Sequence, residues 1–348
     1  MTKLKFLLPL LLIFLFSCKQ AEESKPPGKE AKILNLLQEE GFNGNFLFAE
    51  KGEKKIEINL GYRDYESKDS LQMKHQFYLA SVSKQFTGMA CLLLAHEGKL
   101  DLDGKLSSFY PEISYADSVS IRQMLHHSSG IPDYYGLGVY KPGMTNQDVY
   151  DALLDDTHLD FEPGSKYSYS NSAYVLLSMV AEKASGQSFS DLLEDKVFKP
   201  LGMKSTLVFD QEKEMPVRAI GHTSDGGKKD YYAFTTGGGG LFSTIEDLYT
   251  WERALYTEKL LPQEVLKEAY QAGELPDPDM TAYGFGWFLD RENPHRVWHS
   301  GSLEGFRNLM RRDMKDEILL LYLTNNSFEG LAELSDKVEA ILFEEPTP

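Results

Sequence analysis

Strand-forming sequence lies at the two ends of this chain, and a long helical stretch separates them. Asn45 to Ala49 and Lys55 to Leu60 carry strand-like runs around a turn at Lys51-Gly52. The next such runs come after residue 280, at Phe285 to Leu289, Arg296 to His299, Phe306 to Arg311 and Glu317 to Thr324. An isolated hairpin is marginal in water, so the economical solution is one antiparallel sheet built from both ends. Helical patterns fill the interval at Ile121 to His126, Asn146 to Leu154, Ser172 to Ala184, Phe189 to Val197 and Ile245 to Leu255. Two more, Ala31 to Glu40 and Leu331 to Phe343, flank the strand runs. The expected class is α+β, with one folded unit over 31–348. Within it, 31–80 and 281–345 form an α/β lobe and 81–280 a helical lobe, with a cleft between them.

The first residues read as a leader. Lys3 and Lys5 precede an unbroken apolar run from Phe6 to Phe16, too short to span a bilayer and laid out like a signal peptide over 1–17. The run ends in Leu15-Phe16-Ser17-Cys18, which resembles the lipobox of bacterial lipoproteins. That resemblance implies lipidation at Cys18, a flexible tether over 18–30, and export to a bacterial membrane, on its periplasmic face or at the cell surface. A formal charge of −17 argues against nucleic acid as a partner. Only Cys91 remains once Cys18 is set aside, so no internal disulfide forms, and its place among leucines and alanines makes it a core residue.

The chemistry begins at Ser81-Val82-Ser83-Lys84. Phe86, Met89, Ala90, Leu93 and Leu94 fall at helical spacing behind it, with Gly98 as a stop. Ser81 and Lys84 are then i and i+3 on one face, near the positive end of the helix. A serine hydroxyl becomes a nucleophile when a neighbouring base takes its proton. Further on stand Tyr169-Ser170-Asn171, ahead of a helix, and Trp298-His299-Ser300-Gly301-Ser302, closing a strand.

Ser-x-x-Lys, Tyr-x-Asn and His-x-Gly in this order resemble the penicillin-recognising serine hydrolases, on the branch of class C β-lactamases, D-Ala-D-Ala carboxypeptidases and esterases. The matches extend to Ile121-Arg-Gln-Met-Leu-His-His-Ser-Ser-Gly-Ile-Pro-Asp133, Pro200-Leu-Gly-Met203 and Gly238-Gly-Gly-Leu-Phe-Ser-Thr244, and the likeness runs from about Ile33 to Phe343. It implies a β-lactamase/transpeptidase fold, an acyl-enzyme on Ser81, and no cofactor or metal. Lys84 and Tyr169 would share the base role, a close ammonium lowering the phenol. Asn171 would bond Lys84 and the substrate amide. The backbone N–H groups of Ser81 and Ser302 would form the oxyanion hole, with Ser300 and Gly301 against the substrate. His299 stands where many β-lactamases carry lysine, and an imidazole holds a substrate carboxylate less firmly. No clear replacement cation stands in the sequence, although Arg307, a few residues on, could approach the cleft.

The substrate expected is a small ester or amide, with a D-amino-acid cell-wall peptide as the leading case. A true β-lactamase and a non-catalytic penicillin-binding or ligand-sensing module remain the alternatives. Asp101-Leu-Asp103-Gly104 lacks the ligands of a calcium loop, and His126-His127 lacks metal-site spacing, so both read as structural. Gly237 to Gly240 reads as a tight turn beside the cleft rather than a phosphate loop.

Overall fold

A computed structural model describes residues 28–209, 215, 217–229, 234–277 and 282–344. The expected signal peptide, Cys18 and all but the last residues of the expected tether lie outside these. Lys29 and Glu30, read as tether, instead open the first helix, Lys29–Glu39, where the Lys29 ammonium donates to the Leu342 carbonyl.

The expected sheet forms from both ends of the chain. Its order is 53–60, 44–50, 318–324, 306–313, 296–303 and 288–289, antiparallel throughout. Both faces are covered, which explains the unbroken apolar run Ile318-Leu-Leu-Leu-Tyr-Leu-Thr324. Alternation sends Phe46, Phe48, Leu320 and Tyr322 to an outer layer with helices Lys29–Glu39 and Leu331–Phe343. Leu47, Ala49, Leu319, Leu321 and Leu323 face inward and join the large core of the helical region. Each fully buried Leu or Phe there contributes about 1.5–3 kcal/mol relative to exposure.

Helices of the middle segment start where their caps dictate. Ser120 with Gln123 and Thr145 with Asp148 make reciprocal capping boxes for Ile121–Leu125 and Asn146–Asp155. Ser170 caps Asn171–Ser185, and Thr244 caps Ile245–Ala254. The last of these is tied to the sheet by a fully buried ion pair, Arg312 Nε to Glu252 Oε1 at 3.2 Å, roofed by Trp287 and Tyr256. Removing one partner of such a pair costs about 3–5 kcal/mol, because the other charge is left buried and uncompensated.

Two features depart from the reading of the sequence. Phe77–Tyr78, Leu207–Val208 and Leu241–Ser243 form a second, three-stranded sheet. Phe285 to Leu289, expected as a full strand, is one only at Phe288–Leu289. Gly286, at φ 83°, bends the chain against the first turn of the Lys84 helix, where an added Cβ would sit 2.5 Å from the Lys84 carbonyl oxygen. No described helix is long and apolar enough to cross a membrane.

Candidate active site

Ser81 is placed by a forced change of direction. Leu79 N–H donates to Leu241 O at 2.9 Å, holding the entry strand. Ala80 then adopts φ 48°, a left-handed conformation that costs a non-glycine residue on the order of 1–3 kcal/mol and recurs at functional sites. A 3-10 turn, Ala80–Ser83, leads into the helix Lys84–His96. Val82, Ser83 and Lys84 are buried by this turn, while Ser81 stays partly exposed at a cleft.

Lys84 Nζ lies 3.2 Å from Ser81 Oγ, 2.8 Å from Asn171 Oδ1 and 2.6 Å from Gly238 O, with no exposed surface. Three donors of an ammonium meet three acceptors. Burial nonetheless pulls its pKa from 10.5 down to about 7, against the opposing charge of Asp133. At neutral pH a large fraction is therefore the free amine, whose lone pair can take the Ser81 proton. Gly237 and Gly238 form the expected turn beside it. The Gly237 carbonyl accepts from Thr87 Oγ1 at 2.8 Å, and Gly238 and Gly239 line the cleft.

Asn171 is the first residue of its helix, capped by Ser170. Asp133 Oδ2 accepts from both the backbone N–H and the Nδ2 of Asn171, which turns Oδ1 toward Lys84. Tyr169, two residues earlier, has its hydroxyl near enough to Ser81 for the serine to act on its ionisation. Its ring packs tilted against His127, centroids 4.2 Å apart, and Lys84 Nζ stands 4.7 Å from the ring centroid. The ammonium is expected to lower the phenol; burial dominates instead and raises it well above 10, against the opposing effect of Ser81. Tyr169 thus stays protonated at neutral pH.

His299 departs most from expectation. Val297, His299 and Gly301 face inward on strand Arg296–Leu303, while Ser300 and Ser302 are exposed. The imidazole is 1% exposed and does not line the Ser81 cleft. Its Nδ1 is 2.6 Å from the Ser300 carbonyl oxygen, which can only accept, so the proton sits on Nδ1. Nε2, 2.8 Å from the Tyr283 hydroxyl, must then be the acceptor. Burial and the Lys84 charge push the pKa down to about 3. His299 is a neutral brace between Tyr283 and its strand, not a grip for a carboxylate. Nitrogen-detected NMR should show it in the Nδ1–H form throughout pH 5–8; a titration near 6.5 would refute this assignment.

Gly301 packs so closely that a Cβ would lie 2.1 Å from Leu79 O, bringing the strand's backbone beside Ser81. Ser302 lines the cleft with Ser81. Ser300 and Arg307 line a separate groove on the sheet's outer side, with Trp298, Phe328 and Leu331. Arg307 donates to the Leu303 and Phe306 carbonyls there, so it supplies no cation to the cleft.

Sequence reasoning missed Asp133 and the role of His127. Asp133 closes the matching segment from Ile121, and its local signal is the turn it makes, Oδ1 accepting from Tyr135 N–H at 2.9 Å. His127, at φ 57°, accepts the Ser170 N–H on Nδ1 at 3.1 Å and backs the Tyr169 ring. It is structural, as expected, but it structures the site itself.

A sequence model of the Beta-lactamase family matches residues 31–342. The chain belongs to that family. This Beta-lactamase family member is 31% identical over 340 residues to penicillin-binding protein 4* of Bacillus subtilis, covering 89% of this chain and 74% of the relative. Its fold superimposes on the octameric penicillin-binding protein homologue of Pyrococcus abyssi with a TM-score of 0.80 at 23% identity, covering 91% and 77% of the two chains. A D-amino acid amidase of Ochrobactrum anthropi SV3, solved with L-phenylalanine amide, gives a TM-score of 0.76 at 26% identity over 90% and 98%. The chain therefore has the α+β fold of the penicillin-recognising serine hydrolases.

Proposed function

We propose that this protein is a serine hydrolase that forms an acyl-enzyme on Ser81 and acts on a small ester or amide, of which D-amino-acid amides and peptides are the leading class. The observation that supports it most is the buried Lys84 amine, 3.2 Å from Ser81 Oγ, with its pKa brought down to about 7. In this reading Lys84 takes the Ser81 proton as Oγ attacks the carbonyl and returns it through the Tyr169 hydroxyl to the leaving group, so that both residues end as they began. Asn171 holds Lys84 and meets the substrate amide. The Ser81 and Ser302 backbone N–H groups stabilise the oxyanion, a role in which one donor is worth about 10²–10³ in rate. The similarity to a D-amino acid amidase supports amide substrates, and a neutral His299 with Arg307 turned away weighs against a substrate anchored by a carboxylate.

The test is intact-mass spectrometry after incubation with a penicillin and, separately, with D-alanine amide, each beside a Ser81→Ala control. A Ser81-dependent adduct or Ser81-dependent ammonia release supports the hydrolase. Rapid Ser81-dependent loss of penicillin without an adduct would instead make it a β-lactamase. Binding that survives in Ser81→Ala with no turnover by the parent would make it a sensing module.

We further propose export with lipidation at Cys18, and the division into lobes 31–80 with 281–345 and 81–280. Cys18→Ser should move the protein from the membrane to the soluble fraction of its host; retention in the membrane would remove the anchor.

A further inference from the structure

The cleft over Ser81 is walled on one side by tyrosines. Tyr134, Tyr135 and Tyr140 all line it, opposite Ser302 and Leu303. Their rings form a single patch, with centroids 4.7 Å apart for Tyr134 and Tyr135 and 4.8 Å for Tyr135 and Tyr140. Tyr134 is the buried base of the patch, its ring tilted against that of Tyr135. Tyr135 leaves 49% of its surface open, among the most exposed large apolar residues described. An aromatic ring kept at a cleft rather than in the core forgoes the usual gain from burial.

The patch is also registered against the chemistry. One carboxylate, Asp133, accepts from the Tyr135 backbone N–H on Oδ1 and from Asn171 on Oδ2. The backbone at Tyr135 and the amide at Asn171 thus share one anchor, and Asn171 in turn holds Lys84. The cleft above Ser81 is small, about 70 Å³, and open to solvent on one side. None of the described lining residues is a cation, and the Asp133 and Glu304 carboxylates both act on Tyr135.

We propose that Tyr134, Tyr135 and Tyr140 form a specificity subsite for an aromatic side chain next to the scissile carbonyl. On this reading the substrate is an aromatic amino-acid amide or ester rather than a peptide ending in a free carboxylate. The proposal rests on the serine-hydrolase reading above. A phenyl group seated on such rings gains from burial and from ring contact, which together favour it over a methyl group about 10- to 100-fold.

The experiment compares kcat/KM for D-phenylalanine amide and D-alanine amide, read by ammonia release, in the parent protein, Tyr135→Ala/Tyr140→Ala, Tyr135→Phe and Tyr62→Ala. The parent should prefer the phenylalanine amide about 10- to 100-fold. Removing both rings should bring the ratio to within about threefold of one. Tyr135→Phe keeps the ring and should keep most of the ratio. Tyr62→Ala, which alters another exposed tyrosine away from the cleft, should leave it unchanged. Protection of Ser81 from a fluorophosphonate by each amide reads the same preference without turnover, so slow hydrolysis does not blunt the test. Equal use and equal protection by the two amides, or a ratio that survives loss of both rings, overturns the subsite while leaving the hydrolase intact. Absence of both turnover and fluorophosphonate labelling would instead overturn the hydrolase reading, and the subsite with it.

Discussion

Ser81→Ala should lose every covalent adduct and lower kcat/KM toward amides by at least about 10⁴-fold. Removing the nucleophile of a serine hydrolase leaves only binding and oxyanion stabilisation, and that residue of catalysis is far below the covalent route. The fold should tolerate the change. Ser81 is partly exposed, and the turn is held by the Leu79 backbone bond and the packing of Val82, not by the Ser81 side chain. Lys84 keeps Asn171 Oδ1 and Gly238 O as partners. A variant within about 1 kcal/mol of the parent in stability, yet silent in mass and rate, would place the loss in the chemistry. Residual activity above about one-hundredth of the parent would mean that Ser81 is not the nucleophile.

Lys84→Met should lower kcat/KM by about 10²- to 10⁴-fold, the range for a lost general base. The parent's pH profile carries a sharper signature. A base with a pKa of about 7 must be unprotonated, so kcat/KM should fall about tenfold per pH unit below 7 and level off above it. His299, with its pKa pushed down to about 3, should add no limb of its own between pH 5 and 8. A rate that stays flat from pH 5 to 8 would exclude Lys84 as the base.

Stability should respond to the same residue. The folded-state pKa of about 7 lies below the ordinary 10.5, so between those values the unfolded chain binds more protons. Stability therefore rises with pH across that window, and the cost of holding Lys84 buried at pH 7 is about 4 kcal/mol. Comparing parent and Lys84→Met in thermal melts from pH 7 to 10 isolates this term. Their difference should move in favour of the parent as pH rises, and a constant difference would contradict the lowered pKa.

Much of this architecture could be read from the residues. Strands placed at both ends of a chain must find each other, and the unbroken apolar run at 318–324 marks the doubly covered centre of the sheet. The strands at 207–208 and 241–243 escaped because two or three residues carry no period. Ser81, Lys84, Tyr169 and Asn171 do converge, since each lies beside a cap or turn with its own local signal. What the motif order left open was direction. Period-two alternation puts His299 on the face of Val297 and Gly301, and only the packing of that face against Leu79 and Tyr283 reveals it as the buried side. Asp133 gave little warning. A single loop carboxylate becomes a keystone for Asn171 and Tyr135 only once distant segments meet.

The meeting of the outer helices carries a topological consequence. Lys29 reaches the Leu342 carbonyl, and Lys32 pairs with Glu344 at 2.8 Å, so the first described helix begins where the last one ends. The fold is in effect a closed loop of chain whose seam falls between two helices on the outer face of the sheet. A short linker across that seam, with new ends opened in the exposed turn at Glu66-Ser67-Lys68, would yield a circular permutant. It would keep every strand neighbour and every cleft residue while freeing that outer surface of chain ends.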